Sequence, residues 1–267
     1  MTVFDWQDIR GVLLDLDGTL FRGDIVLPGA IALIEQLRHA QIPFLYWTNN
    51  STRTPEQVVT HLQGLGFNAS ENEVYTSSLA VADALAGVLP HASAVYALGE
   101  EGLVDALRRR SFRVLTEGGR DEPVAAVAVG LDREVTYARF AQAMQHLMSP
   151  DVLFYATNQD RALPHGDHFL PGAGAGISFL ETCTARRAVV VGKPQATFVL
   201  AACDRLAVAP RHTLIVGDNA ETDVAAAKRA GAMAVWVTTG VSHVRAERGT
   251  RTISALTELL PVFGTRK

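Results

Sequence analysis

Apolar and polar positions fall along this chain in repeating blocks. Val12-Leu13-Leu14 is an apolar run that breaks off in Asp15-Leu16-Asp17-Gly18-Thr19. Ala30, Leu33, Ile34 and Leu37 then recur at helical spacing. Phe44-Leu45-Tyr46-Trp47 reads as a strand that ends in Thr48-Asn49-Asn50-Ser51. In the next helix Thr54 is a cap, Pro55 suits the first helical position and Gln57 completes a capping box. Val58, Leu62 and Leu65 form its apolar stripe, and Gly66 suits its end. The last third repeats the rhythm. Thr213-Leu214-Ile215-Val216 ends in Gly217-Asp218-Asn219, a helix is expected over 222–229 with a stop at Gly231, and Ala234-Val235-Trp236-Val237 follows. Apolar strand, polar tip and amphipathic helix in alternation predict an α/β fold, a doubly wound and mostly parallel sheet. Ligands of such sheets bind beyond the carboxyl ends of the strands, where all these polar tips fall.

The middle of the chain reads as a unit of its own. Val95 to Leu98, Val124 to Val129 and Leu153 to Ala156 are strand candidates, and Phe140, Met144 and Leu147 mark a helix. Residues 164–172 are expected to be a loop from their Gly and Pro content. The expected organisation is a core formed by 1–83 and 188–267, with an inserted α/β domain at 84–187.

Composition narrows the class. The chain has 267 residues, 48% of them hydrophobic, and 24 basic against 28 acidic side chains give a net charge of −4. No basic run exceeds Arg108-Arg109-Arg110, which reads as a solvated face, so nucleic acid is not an expected partner. No apolar stretch approaches the ~20 residues of a membrane span, and the first residues lack the layout of a signal peptide. Two cysteines, Cys183 and Cys203, suit a reducing cytoplasm and are expected in the core.

The tips carry the chemistry. Asp15 and Asp17 stand two apart and share a side if the strand persists, and Gly18 permits a sharp turn. Thr48, Asn49 and Asn50 offer a hydroxyl and amide donors, Gly192-Lys193-Pro194 offers a cation, and Gly217-Asp218-Asn219 is followed by Asp223. If these tips converge, Asp15, Asp17, Asp218 and Asp223 bring four negative charges and Lys193 returns one. Two like charges ~5 Å apart repel by roughly 3 kcal/mol at an effective dielectric of ~20. Either some carboxyls hold protons or a divalent cation sits among them, and an all-oxygen set favours Mg²⁺. Such a site suits phosphoryl transfer, with one aspartate as nucleophile and its neighbour protonating the leaving oxygen.

Asp15-Leu-Asp-Gly-Thr19, Thr48-Asn-Asn50, Gly192-Lys-Pro194 and Gly217-Asp-Asn-Ala-Glu-Thr-Asp223 resemble, in order, the four motifs of the haloacid dehalogenase superfamily of phosphohydrolases. The branch resembled is subclass IIA, with its p-nitrophenyl phosphatase-like, ribonucleotide monophosphatase-like and pyridoxal phosphatase-like enzymes. Ala128 to Asp132, Tyr155 to Asp160, Leu163-Pro164 and Pro171 to Gly174 resemble that branch's cap. The chain departs from the pattern at Ala220-Glu221 and over 165–170. The resemblance implies an aspartyl-phosphate on Asp15, with Asp17 as acid and then base. It implies Mg²⁺ on the Asp15 carboxylate, the Asp17 backbone carbonyl and the Asp218 carboxylate, with Asp223 and Asn219 supporting that shell. It further implies that Thr48, Asn49 and Asn50 bind substrate, that Lys193 neutralises charge on nucleophile and phosphate, and that copies can pair through the cap. The expected substrate is a small phosphorylated metabolite, with Asn158, Asp160 and His165 reading its identity.

Other patterns weigh less. Gly172-Ala-Gly174-Ala-Gly176 lacks dinucleotide-loop spacing and reads as a turn into a helix; Gly192-Lys193 is no Walker loop, because Pro194 stands where Ser or Thr belongs. His165 and His168 could bind metal, but a solvated or substrate-facing loop is the simpler expectation. An alternative from another class is a phosphate-accepting, receiver-like signalling module. It also uses a parallel sheet, clustered aspartates, Thr and Lys, but it does not explain Asp17-Gly-Thr19 or the large insertion.

Overall fold

The computed structural model describes residues 6–117, 122–165, 168–240 and 250–264. β1 (Gly11–Leu14) runs into the acidic tip, and a short hairpin, β2 (Phe21–Arg22) and β3 (Ile25–Val26), follows it. Next come α1 (Ala30–His39), β4 (Phe44–Thr48), α2 (Pro55–Gly64) and β5 (Val74–Thr76). The chain goes on through α3 (Ser77–Ala86), β6 (Ala94–Leu98), α4 (Glu101–Arg109), β7 (Arg113–Leu115), β8 (Ala126–Val129), α5 (Tyr137–Leu147) and β9 (Leu153–Ala156). After these stand β10 (Ala162–His165), β11 (His168–Pro171), α6 (Ala173–Thr184) and β12 (Val189–Val190). It ends with α7 (Ala196–Leu206), β13 (Thr213–Gly217), α8 (Ala225–Ala230), β14 (Met233–Val237), β15 (Arg251–Ile253) and α9 (Leu260–Gly264).

Two compact units result. The first comprises Met1–Thr48, Glu56–Tyr75 and Lys193–Lys267. Its sheet has the order β15-β14-β13-β1-β4-β5, with β1 parallel to β13 and β4, and β14 parallel to β13 and β15. Every residue of β1, β4 and β13 is buried, as a sheet covered on both faces requires. Val12, Leu14, Phe44 and Tyr46 join the cluster that holds Leu33 and Leu37 of α1. On the other face Trp47 packs 4.8 Å from Phe198 of α7.

The second unit comprises Asn49–Pro55 and Thr76–Gly192. Its sheet, β12-β9-β8-β6-β7, is parallel throughout. Its core gathers Tyr96, Val127, Val129 and Phe154 under Ala143, Leu147, Ile177 and Leu180 of α5 and α6.

Local differences from the sequence expectations have physical causes. The second unit reaches beyond 84–187 because α3 packs on α4 and β12 adds an edge strand beside β9. Residues 49–55 join it through Gly102 N–H to Thr52 O (3.0 Å), Leu131 N–H to Ser51 Oγ (3.1 Å) and Ser78 Oγ to Ser51 O (2.9 Å). Residues 164–172 are not simply a loop. β10 and β11 form an antiparallel hairpin pairing Leu163 with Leu170 and Pro164 with Phe169. Prolines are tolerated there because each strand of a two-stranded ribbon has a free edge. The turn residues 166 and 167 of the proposed His165–His168 metal pattern lie outside the described residues. Cys183 is exposed on α6, contrary to the core expectation, whereas Cys203 is buried.

Candidate active site

The first unit gathers four of the predicted side chains. The β1 ladder extends one residue past the strand, with Asp15 N–H donating to Val216 O at 3.0 Å, so Asp15 stands at the carboxyl end between two strands. Leu16 then closes a tight turn, accepting from Thr19 N–H (3.1 Å) and Leu20 N–H (2.9 Å). Gly18 occupies the turn at φ +86°, where a side chain would also overlap the Asp218 carboxylate. Thr19 Oγ donates back to Asp15 Oδ2 at 3.2 Å.

Asp223 arrives by a different route. The expected helix over 222–229 opens instead with a π-helical turn at Ala220–Val224 before α8. Asn219 caps it, its side chain accepting from Glu221 N–H at 2.9 Å. The wider turn aims Asp223 back toward β13, where Asn219 N–H donates to Asp223 Oδ2 at 3.1 Å. Gly217 makes room, since a Cβ there would overlap the Asp223 carboxylate. Lys193 Nζ, 3% exposed, donates to Asp223 Oδ1 at 2.7 Å and to Asp15 Oδ1. Its ammonium also lies over the Trp47 ring, 4.5 Å from the centroid. Trp236 Nε1 donates to Asp218 O at 2.7 Å and holds the fourth member.

Asp15, Asp218 and Asp223 each offer a carboxylate oxygen within 4.8 Å of the others, and all three are buried. Three carboxylates against one ammonium leave two negative charges when ionised. Burial pushes Asp218 up to about 8, with repulsion from Asp15 and Asp223 adding to it and Lys193 opposing. Burial likewise raises Asp223 to about 6, against the pull of Lys193. For Lys193 burial works downward, but Asp15 and Asp223 overcome it and the ammonium is held above its usual range. A site short of positive charge, with a hard all-oxygen donor set, fits a divalent cation of the magnesium type.

The remaining predicted residues sit as follows. Asp17 is on the exposed side of the turn, and its carboxylate stands outside the convergent trio. Thr48 is buried at the end of β4. Asn49 and Asn50 belong to the second unit. There Asn49 Nδ2 donates to Asp160 Oδ2 at 3.2 Å, Asn49 O accepts from Ser77 Oγ (2.7 Å) and Asn158 Nδ2 (2.9 Å), and Asn50 Oδ1 accepts from Thr52 N–H (2.9 Å). Sequence reasoning missed Trp47, because an apolar strand residue gives no sign that its ring will cover a lysine. It could have found Thr19, whose hydroxyl stands four residues after Asp15.

Comparison with known proteins matches residues 12–113 to the haloacid dehalogenase-like hydrolase family and residues 190–259 to a second HAD-hydrolase-like family. The 5'-nucleotidase YutF of Bacillus subtilis is 37% identical over 257 residues, covering 94% of this chain and 98% of its own. An acid sugar phosphatase of Staphylococcus aureus is 38% identical, covering 88% and 89%. The solved structure of a glycerol phosphate phosphatase from Mycobacterium tuberculosis in complex with magnesium superposes with a TM-score of 0.84 at 32% identity, covering 95% of this chain and 77% of that one. Fold, site and relatives together define the class, a phosphoric monoester hydrolase. More narrowly, the chain belongs to the haloacid dehalogenase-like hydrolases, in the subclass IIA branch.

Proposed function

We propose that the chain hydrolyses a small-molecule phosphate monoester through an aspartyl-phosphate on Asp15, with Mg²⁺ as cofactor. The observation that carries this is Asp15 itself. It stands at a strand end with one oxygen on Lys193 and the other on Thr19, beside two further buried carboxylates. Asp15 and Asp218, with the Asp17 backbone carbonyl, would hold the metal, and Asp223 would support them. When bound, the cation supplies charge neutralisation for the phosphoryl group.

The chain's own residues carry the steps. An Asp15 oxygen attacks phosphorus, the bond to the leaving oxygen breaks, and Asp17 gives that oxygen its proton. Asp17 then takes a proton from water, which attacks phosphorus. The Asp15–phosphorus bond breaks, freeing inorganic phosphate and the Asp15 carboxylate. Lys193 keeps Asp15 oriented and offsets its charge, while Thr48 with Asn49 and Asn50 binds the phosphoryl oxygens. Selection of the leaving group is assigned to the inserted second unit, with Asn158, Asp160 and His165 as its readers.

The nucleotidase, sugar phosphatase and glycerol phosphate phosphatase relatives share the phosphate monoester as the reacting group, and the substrate is proposed at that level. The receiver-like alternative is not favoured, because the named relatives are hydrolases. A reducing cytoplasm, which suits the free cysteines, and pairing of two copies through the cap complete the proposal. The test is turnover of p-nitrophenyl phosphate with Mg²⁺, together with trapping of a phosphorylated Asp15 after rapid quench. Stoichiometric phosphorylation without turnover would overturn it.

A further inference from the structure

We infer that Trp47 is a positioning residue whose indole face holds the Lys193 ammonium in place against Asp15 and Asp223. This deepens the function proposed above and rests on it for the part Lys193 plays in catalysis. The contact is built by strand register. Leu14 pairs with Tyr46, so Asp15 and Trp47 are lateral neighbours on adjacent strands, on the sheet face opposite Leu14 and Tyr46. Phe198 backs the indole at 4.8 Å and is itself 5.3 Å from Tyr75, so the ring is fixed from behind. The ammonium stands 4.5 Å from the ring centroid.

Two observations separate this contact from ordinary core packing. Trp47 is fully buried, yet among the described residues its Nε1 has no hydrogen-bond partner. Leaving that donor unpaired costs stability, and the orientation that does so presents the ring face to the ammonium. The second observation is the charge balance. Lys193 is almost entirely removed from water, and a buried cation needs partners. Another carboxylate would deepen the negative charge of a cluster that already holds three. The ring's negative face attracts the ammonium with no net charge and no lone pair to draw it off Asp15.

The test is site-specific replacement of Trp47 by a series of fluorinated tryptophans, which keep ring shape and the N–H while weakening the negative face. With p-nitrophenyl phosphate and saturating Mg²⁺, kcat/KM should fall stepwise with each fluorine, by about 10-fold across the series, equivalent to about 1.4 kcal/mol. Trp47→Phe, which keeps an aromatic face, should stay within about 3-fold of wild type, and Trp47→Leu should lose about 10-fold. A second readout needs neither metal nor turnover. The Lys193 ε-methylene protons should be shifted upfield by the ring in NMR spectra and return toward ordinary values in Trp47→Leu. A flat fluorination series, while Asp15→Asn abolishes hydrolysis, overturns the inference and leaves the proposed function standing. Activity that survives in Asp15→Asn overturns the function instead, and the Lys193 shift then decides the contact alone.

Discussion

Both units present polar residues at the carboxyl ends of a parallel sheet, yet they handle charge in opposite ways. In the second unit Asp132 pairs with Arg139, Glu100 with Arg133, Asp105 with Arg109 and Asp83 with Arg110. Each of these acids has an arginine of its own, most of them at the surface. In the first unit three buried acids stand around one lysine. The paired arrangement is self-satisfied and holds structure together. The unbalanced one stays short of positive charge and so is ready for a cation and an anionic substrate. An excess of buried carboxylate over local cation, more than the number of charges, sets the candidate site apart from the paired acids of the second unit.

Removing the proposed nucleophile should have the largest effect. Asp15→Asn should lower p-nitrophenyl phosphate turnover by about three orders of magnitude or more while circular dichroism stays native. Next comes withdrawal of Mg²⁺ by a chelator, which should reduce turnover to background, with recovery on adding Mg²⁺ back. Because Asp218 sits at about 8 without metal, Mg²⁺ binding at pH 7 should release about one proton. Calorimetry in buffers of different ionisation enthalpy reads that number, and no release would contradict the carboxylate ligand.

Stability effects follow. Asp132→Ala leaves Arg139, only 17% exposed, without its carboxylate, and should cost about 3 kcal/mol in chemical denaturation with turnover kept within severalfold. Asp218→Asn tests the sign of the imbalance. The folded pKa of Asp218 is raised above its ordinary 3.8, so its stabilising contribution is complete below about pH 4 and is lost as pH rises through about 8. The metal-free melting temperature should therefore fall between pH 5 and 9, and fall less in Asp218→Asn. Smallest should be Arg109→Ala, an exposed pair with Asp105, at under about 1 kcal/mol.

Periodicity made much of the scaffold legible. The stripe of Ala30, Leu33, Ile34 and Leu37 is the buried face of α1, and Val12-Leu13-Leu14 and Phe44 to Trp47 lie in β1 and β4. Such signals are local, because burial of one face leaves its spacing in the sequence. Elements that depend on a distant partner leave no such local trace. β12 is two residues long and is defined only by β9 beside it, and the β10–β11 hairpin reads as loop until its cross-strand pairs are seen. The π turn at Ala220–Val224 was likewise hidden, since it differs from an ordinary helix start by one extra residue per turn.

The order of the motifs, the kind of sheet that displays them and the residue types they offer can all be read from neighbouring residues, because each is written locally in the chain. That Asp15, Asp218, Asp223 and Lys193, up to 208 positions apart, form one buried cluster follows from the folded chain alone. The same holds for the strand tryptophan that covers the lysine and for the tie between Asn49 and Asp160. Proximity across strands is set by register and by the turns that aim each side chain, and the free energy of gathering like charges depends on their burial together, which no single segment contains.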